Sequence, residues 1–418
     1  MSKTRLVLEP FLLGVRREYR FVLSAFAASG IGYLGSAAAP VIVNALLEAG
    51  LDYQQAGDLG MIELLALSVA ATGIIPYVPI VSHRKLAVGG TLMAALGFVI
   101  SALSVGYTPM IVGRIVIGIG SGLALSGANA AVAAREDAER IFAIIWTMGG
   151  MITASLAMYL PGVVEGGEYP LGFGALLLLA LVGLPCIFWL PHKPAALAQP
   201  ITESAASTAS TSGSSDSDLT TVFGPLVWMT FAGMFLYSAA EQALWNFAYN
   251  LPIEAGVDPA LTAKMLAFTT VMGLVGGVIA ALLGVRLGRV FPIVLGCLLS
   301  LSGRWLYISS SNELMLLFGS LLWGVGFYFV SPYQIGLVAA VDRKGRAAVA
   351  SAAAFNFGYA AGPGLVGRIL EYMDREWLMM FIAASTFVSM LLFLPLAIRV
   401  DRDARIARAT ARRSANVS

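Results

Sequence analysis

Of the 24 aspartates and glutamates in the chain, only Glu63 and Glu241 fall well inside apolar stretches. A carboxylate in such a place needs an ionic partner, a wet cavity or a proton, because hydrocarbon does not solvate its charge. Arg114 and Arg304 pose the complementary problem, since a guanidinium keeps its proton at any ordinary pH. Glu63 lies about five residues into its apolar segment and Arg114 about six into its own, counted from the same side; at about 1.5 Å per residue both sit roughly 8–9 Å below that surface. Equal depth makes an ion pair the expectation. Its role is open between a permanent brace and a proton-sensitive latch that breaks during a conformational cycle.

Glu241 belongs to a longer pattern. Tyr237, Glu241, Trp245 and Tyr249 recur every four residues, and Ser238, Gln242, Asn246 and Asn250 form the stripe beside them. At 3.6 residues per turn all eight share one polar, aromatic helix face. Turned to lipid, that face would be costly, so it is expected to line a cavity or to hydrogen-bond to neighbouring helices. Glu241 is then a candidate proton carrier, a partner for a cationic substrate, or a partner for Arg304. Further candidates for substrate contact are Tyr33, Trp146, Tyr328, Gln334 and Asn356, each with core packing or an interfacial aromatic belt as its competing explanation.

The elements that must position these residues are membrane spans. Hydrophobic residues make up 58% of the 418-residue chain and charged ones only 12%, about half the charged share of a soluble protein. A window of about 19 residues, enough to cross roughly 30 Å of hydrocarbon, finds twelve segments. They lie near 21–47, 58–81, 86–106, 108–134, 141–164, 170–190, 223–250, 262–284, 290–309, 313–340, 346–370 and 376–398. The predicted fold class is therefore an all-α integral membrane protein. Residues 1–20 carry five basic side chains and lack a signal-peptide cleavage pattern, so the first span is expected to persist. Of the 26 lysines and arginines, 21 fall in the N-terminus, the even-to-odd loops and the C-terminal tail, which predicts cytoplasmic termini.

Domain boundaries follow from composition. Residues 21–192 and 223–398 each hold six segments, and the Ser-, Thr- and Ala-rich stretch 193–222 reads as a disordered cytoplasmic tether. The tail 399–418 carries six arginines at spacings of about three, suited to a short helix on anionic headgroups. The halves repeat: Gly113, Gly118, Gly120, Ala133, Ala134 and Arg140 recur 206 positions later as Gly319, Gly324, Gly326, Ala339, Ala340 and Arg346. A constant offset across a span and its following loop is the mark of parallel six-helix repeats. The position 206 after Arg114 is Ser320, so the charge is not needed to build this helix.

Several motifs join this organisation. Gly113-Arg114 with Gly118, Gly120 and Gly122 resembles the fourth-helix motif of the major facilitator superfamily (MFS). Gly284-Val285-Arg286-Leu287-Gly288-Arg289 resembles the C-terminal copy of that family's Gly/Arg loop, while Ser82-His83-Arg84-Lys85 is a degraded N-terminal copy. Gly358-Tyr359-Ala360-Ala361-Gly362-Pro363-Gly364 is similar to a Gly-Pro motif that efflux members carry in the fifth helix; here it lies in the eleventh segment, and the fifth lacks it. The resemblance implies the MFS fold: two pseudo-symmetric six-helix bundles rocking about a central site in the cytoplasmic (inner) membrane.

The leading functional expectation is a secondary active transporter that moves a small organic solute by alternating access, coupled to protons. Efflux of lipophilic or drug-like compounds is the alternative within that class, and a non-transporting sensor with the same fold is the alternative outside it. Arg114 and Arg304 favour an anionic solute, while Glu241 beside Trp245 and Tyr249 favours a cationic or aromatic one, so substrate charge stays open. An enzyme is not expected, because no cluster of His, Asp or Cys gathers on one face. No phosphate-binding Gly-x-x-x-x-Gly-Lys-Ser/Thr loop occurs, which argues against ATP-driven pumping. With two cysteines, Cys186 and Cys297, in apolar runs and two distant histidines, neither a metal nor a cofactor is expected. Protons and membrane lipids are the expected partners besides the solute, and no nucleic acid; oligomeric state is not legible.

Overall fold

The structure, a computed structural model, describes residues 3–78, 80–135, 137–192, 224–341 and 346–415, with the side chains of 3–17, 139, 346–349 and 407–415 excepted. The 193–222 tether lies outside the described residues. Twelve long helices occupy the described chain, and no strand occurs there. We number them α1 (Lys3–Glu48), α2 (Tyr53–Gly73), α3 (His83–Leu103), α4 (Tyr107–Ala133), α5 (Ala138–Tyr159) and α6 (Tyr169–Ile187). After the tether come α7 (Pro225–Phe247), α8 (Pro259–Leu283), α9 (Val290–Ile308), α10 (Glu313–Ala339), α11 (Arg346–Tyr372) and α12 (Arg375–Ala415). A five-residue helix, Asn250–Glu254, follows α7.

Ten of these helices are long and apolar enough to cross a membrane by length and composition. The other two are α7 and α11. The first carries the Glu241, Gln242 and Asn246 face, and the second is rich in alanine and glycine. Both lose mean hydropathy for a reason visible in their residues, and twelve spans remain the consistent reading of the chain. Helices α10 and α11 run without interruption through Pro332 and Pro363.

The chain divides into two compact units. One comprises residues 1–51, 62–156 and 160–205; the other comprises 52–61, 157–159 and 206–418. The first turns of α2 thus belong with the second unit.

The 206-residue repeat is a repeat of contacts as well as of letters. In the first unit, a Cβ on Gly113 would strike Ser101, one on Gly118 the Glu63 carbonyl, and one on Gly120 the Ala94 backbone. In the second unit, Gly319 stands in the same way against Tyr307, Gly324 against the Thr269 carbonyl and Gly326 against the Ser300 backbone. Each partner is itself displaced by 206. The pairing reaches the outer helices too: a Cβ on Gly183 of α6 would meet Ala27 of α1, and Ser389 of α12 donates to the Gly233 carbonyl of α7. Small residues let backbones meet where lipid supplies no hydrophobic drive for helix association.

Candidate functional site

The second unit holds a charged cluster sealed inside its helices. Glu241 on α7 is 6% exposed and Arg304 on α9 is 0% exposed. The Trp323 indole N–H, from α10, donates to both carboxylate oxygens of Glu241, at 2.8 and 3.0 Å. Arg304 Nη1 stands 3.8 Å from Glu241 Oε2, an ion pair without a hydrogen bond, and Nη1 has no other hydrogen-bond partner. The guanidinium is held by its own helix: Nη2 donates to Ser300 Oγ at 2.7 Å and Nε to the Ser300 carbonyl at 3.2 Å. Its carbon lies 5.1 Å from the Tyr237 ring centroid, a cation–π approach.

Aromatic rings close the cluster. Tyr237 stacks on Phe327 with centroids 6.1 Å apart, while Trp323 meets Trp245 and Tyr307 edge-on at 6.1 and 5.1 Å. Tyr307 is fixed by donating its hydroxyl to the Ala248 carbonyl at 2.7 Å. At an effective dielectric of about 20, two unit charges at this separation attract by about 4 kcal/mol. Desolvation costs several kcal/mol per ion. The attraction offsets part of that penalty, and the two hydrogen bonds from Trp323 offset more.

The first unit pairs its charges more tightly. Arg114 Nη1 donates to Glu63 Oε2 at 2.5 Å, with the two side chains 6% and 7% exposed. The Arg114 guanidinium also faces the Phe173 ring of α6, 4.9 Å from its centroid. Glu63 Oε1 lies over Gly35 of α1, where an added Cβ would overlap it.

The remaining sequence candidates spread over both units. Gln242, Asn246 and Tyr249 are buried, and Asn246 donates to the Gln242 carbonyl one turn back at 2.9 Å. Tyr328 packs its ring on Gly273 of α8 and meets Phe327 edge-on. Gln334 is fully buried near Cys297, and Asn356 is half-buried on α11. In the first unit Tyr33 and Trp146 form an aromatic pair with centroids 6.2 Å apart, 38% and 54% exposed.

Some buried polar partnerships escaped the sequence reasoning. Trp323 is the most direct partner of Glu241; its one signal was a depth of about ten residues into a span, away from the interfacial belt where tryptophan collects. Asp58 and Arg368 form a second ion pair in the second unit, with Nη1 to Oδ1 at 2.5 Å and Nη2 to Oδ2 at 3.1 Å. Around it the Tyr53 N–H donates to Glu371 at 3.0 Å, and the Tyr372 hydroxyl to Gln54 at 2.6 Å. Among the described residues no group of three or more His, Cys, Asp or Glu is arranged to hold a metal.

Ten helices long and apolar enough to cross a membrane, in units that repeat their glycine contacts at a fixed offset, make this a multi-pass membrane protein. The family model described as the Major Facilitator Superfamily matches residues 21–353, and the chain belongs to that family. Among solved structures it is similar to a POT family transporter in complex with 5-aminolevulinic acid: 13% identity, 91% of this chain and 96% of that one, TM-score 0.66. It is also similar to a POT family transporter in complex with a thioalcohol-conjugated peptide: 12% identity, 90% and 95% coverage, TM-score 0.65. A peptide transporter POT in complex with sulfate aligns at 16% identity, 93% and 95% coverage, TM-score 0.66. At these identities the likeness is one of fold. No curated protein sequence matches the chain.

Proposed function

We propose that the protein is a proton-coupled secondary transporter of a small organic solute, working by alternating access in the cytoplasmic (inner) membrane with both termini in the cytoplasm. In this reading residues 21–192 and 223–398 are the moving halves, 193–222 their tether and 399–418 a basic tail. Glu241 carries the proton. The observation that supports this most is its setting: a buried carboxylate held by Trp323, with a buried arginine 3.8 Å away and not hydrogen-bonded to it. Protonating Glu241 leaves Arg304 as an uncompensated cation, so binding an anionic group and gaining a proton become linked events.

Purified protein in liposomes with an imposed pH gradient tests the reading. The POT neighbours hold 5-aminolevulinic acid, a peptide and sulfate, so compounds bearing a carboxylate with or without an amine are the first solutes to try. Wild type is expected to accumulate a solute only under the gradient, and Glu241→Gln to lose accumulation while keeping solute exchange at zero gradient. Gradient-driven uptake that survives in Glu241→Gln removes the proton role, and no flux under any gradient favours a sensor. The half-exposed Tyr33–Trp146 pair favours a second reading, export of flat lipophilic compounds; inside-out vesicles separate export from uptake by direction.

A further inference from the structure

We propose that the α8–α9 loop and the far end of α12 together form a docking site for one anionic phospholipid. Asp401 of α12 accepts hydrogen bonds from the backbone N–H of Arg289, at 2.9 and 2.8 Å, and of Val290, at 3.1 Å. That carboxylate caps the first turn of α9 and is only 9% exposed. It therefore fixes two segments side by side while its charge is committed to the helix terminus. Arg286, Arg289, Arg399, Arg402 and Arg405 gather on these two segments, and the last three follow one helix at a spacing of three. Among the described residues the acid that ion-pairs with them is Asp403, shared at 4.0 Å from Arg399 and 3.7 Å from Arg402.

Exposed apolar side chains stand beside this positive surface: Val285 at 45%, Leu287 at 57% and Ile398 at 55%. An occupant must present diffuse negative charge next to hydrocarbon, and a phospholipid with a net negative headgroup does both. The equivalent place in the first unit is built differently. There Arg84 donates Nε to the Leu190 carbonyl at 2.7 Å, and α3 is capped by its own Ser82. Arg84 is committed to the protein, whereas Arg286 of the second unit's loop is exposed and Arg289 half-buried.

The full-length protein in a neutral detergent is titrated with phosphatidylglycerol, phosphatidylcholine or inorganic phosphate, and read by thermal shift and by native mass spectrometry. Phosphatidylglycerol is expected to raise the melting temperature and to stay bound as one molecule, with the other two doing neither. At roughly fivefold per surface arginine, Arg402→Gln weakens retention about fivefold, and the triple variant of Arg286, Arg289 and Arg402 to Gln about a hundredfold. The Arg289 substitution leaves its backbone cap in place, and Arg402→Gln alone keeps the test sound if the triple variant fails to fold. Changing Arg135 and Arg140 to Gln in the first unit leaves retention as in wild type. Four results overturn the proposal: equal retention of phosphatidylcholine, a shift with phosphate alone, wild-type retention in Arg402→Gln, or an equal loss in the Arg135/Arg140 variant.

Discussion

Glu241 of the second unit corresponds to Gly35 of the first, 206 positions earlier, and it is over Gly35 that the Glu63 carboxylate lies. The Gly183–Ala27 and Ser389–Gly233 contacts fix that correspondence between α1 and α7. Both units thus hold a carboxylate at one equivalent place, in one case from the α7 backbone position itself and in the other from α2 across a missing side chain. The arginines differ as well: Arg114 comes from α4, with Ser320 as its counterpart, and Arg304 from α9, with Phe98 as its counterpart. The repeats share their glycine contacts and differ in the positions that carry their charged pairs.

Gly35→Ala therefore acts through Glu63. The new methyl displaces Oε1, and the displaced carboxylate leaves Arg114 buried without its partner, a loss of about 3 kcal/mol. Glu63→Gln is expected to cost a similar amount. The double variant should cost little more than either single one, because both remove one interaction. Unfolding in detergent measures all three; simple additivity would show that Gly35 matters for helix packing alone.

Trp323→Phe keeps an aromatic ring against Trp245 and Tyr307 but removes the N–H that serves Glu241. A hydrogen bond to a charged acceptor contributes about 1.5–3 kcal/mol, so the variant is expected to melt lower by that equivalent. Repeating the change in a Glu241→Gln background should shrink the loss, which a double-mutant cycle reads directly.

At Gly288 the backbone has φ +75°, and an added Cβ would stand 2.5 Å from Asp401 Oδ2. Gly288→Ala combines about 1 kcal/mol of left-handed backbone strain with displacement of the α9 cap. Asp401→Asn keeps an acceptor oxygen and loses the charge–dipole attraction, costing about 0.5–1 kcal/mol. The expected order of melting temperatures is wild type, Asp401→Asn, then Gly288→Ala.

Asp137, in the turn before α5, accepts from Arg135 Nε at 3.1 Å, and this hydrogen bond holds its carboxyl below the usual range. A lowered value in the folded state means that the stabilisation is present above the unfolded aspartate value of about 3.9 and is lost as pH falls through the folded one. Asp137→Asn should melt slightly below wild type at neutral pH, with the difference vanishing at the acid end. A difference that widens on acidification would contradict the assignment.

What sequence alone determined here is what depends on local order. The length of an apolar run sets whether it spans a bilayer, so the twelve segments were legible from composition, the repeat from the 206 offset and the family from its glycine and arginine motifs. Helical rise placed Glu63 and Arg114 at one depth, and helical period put Tyr237, Glu241 and Trp245 on one face of α7. Only tertiary structure decided what covers that face. Glu241 meets Trp323 across 82 residues, Asp58 meets Arg368 across 310, and Asp401 meets Arg289 across 112. Periodicity gives a side chain its direction around its own axis and says nothing of which helix lies opposite. That choice is made where glycines and alanines let particular backbones approach, as Gly324 does on α8 and Gly326 on α9.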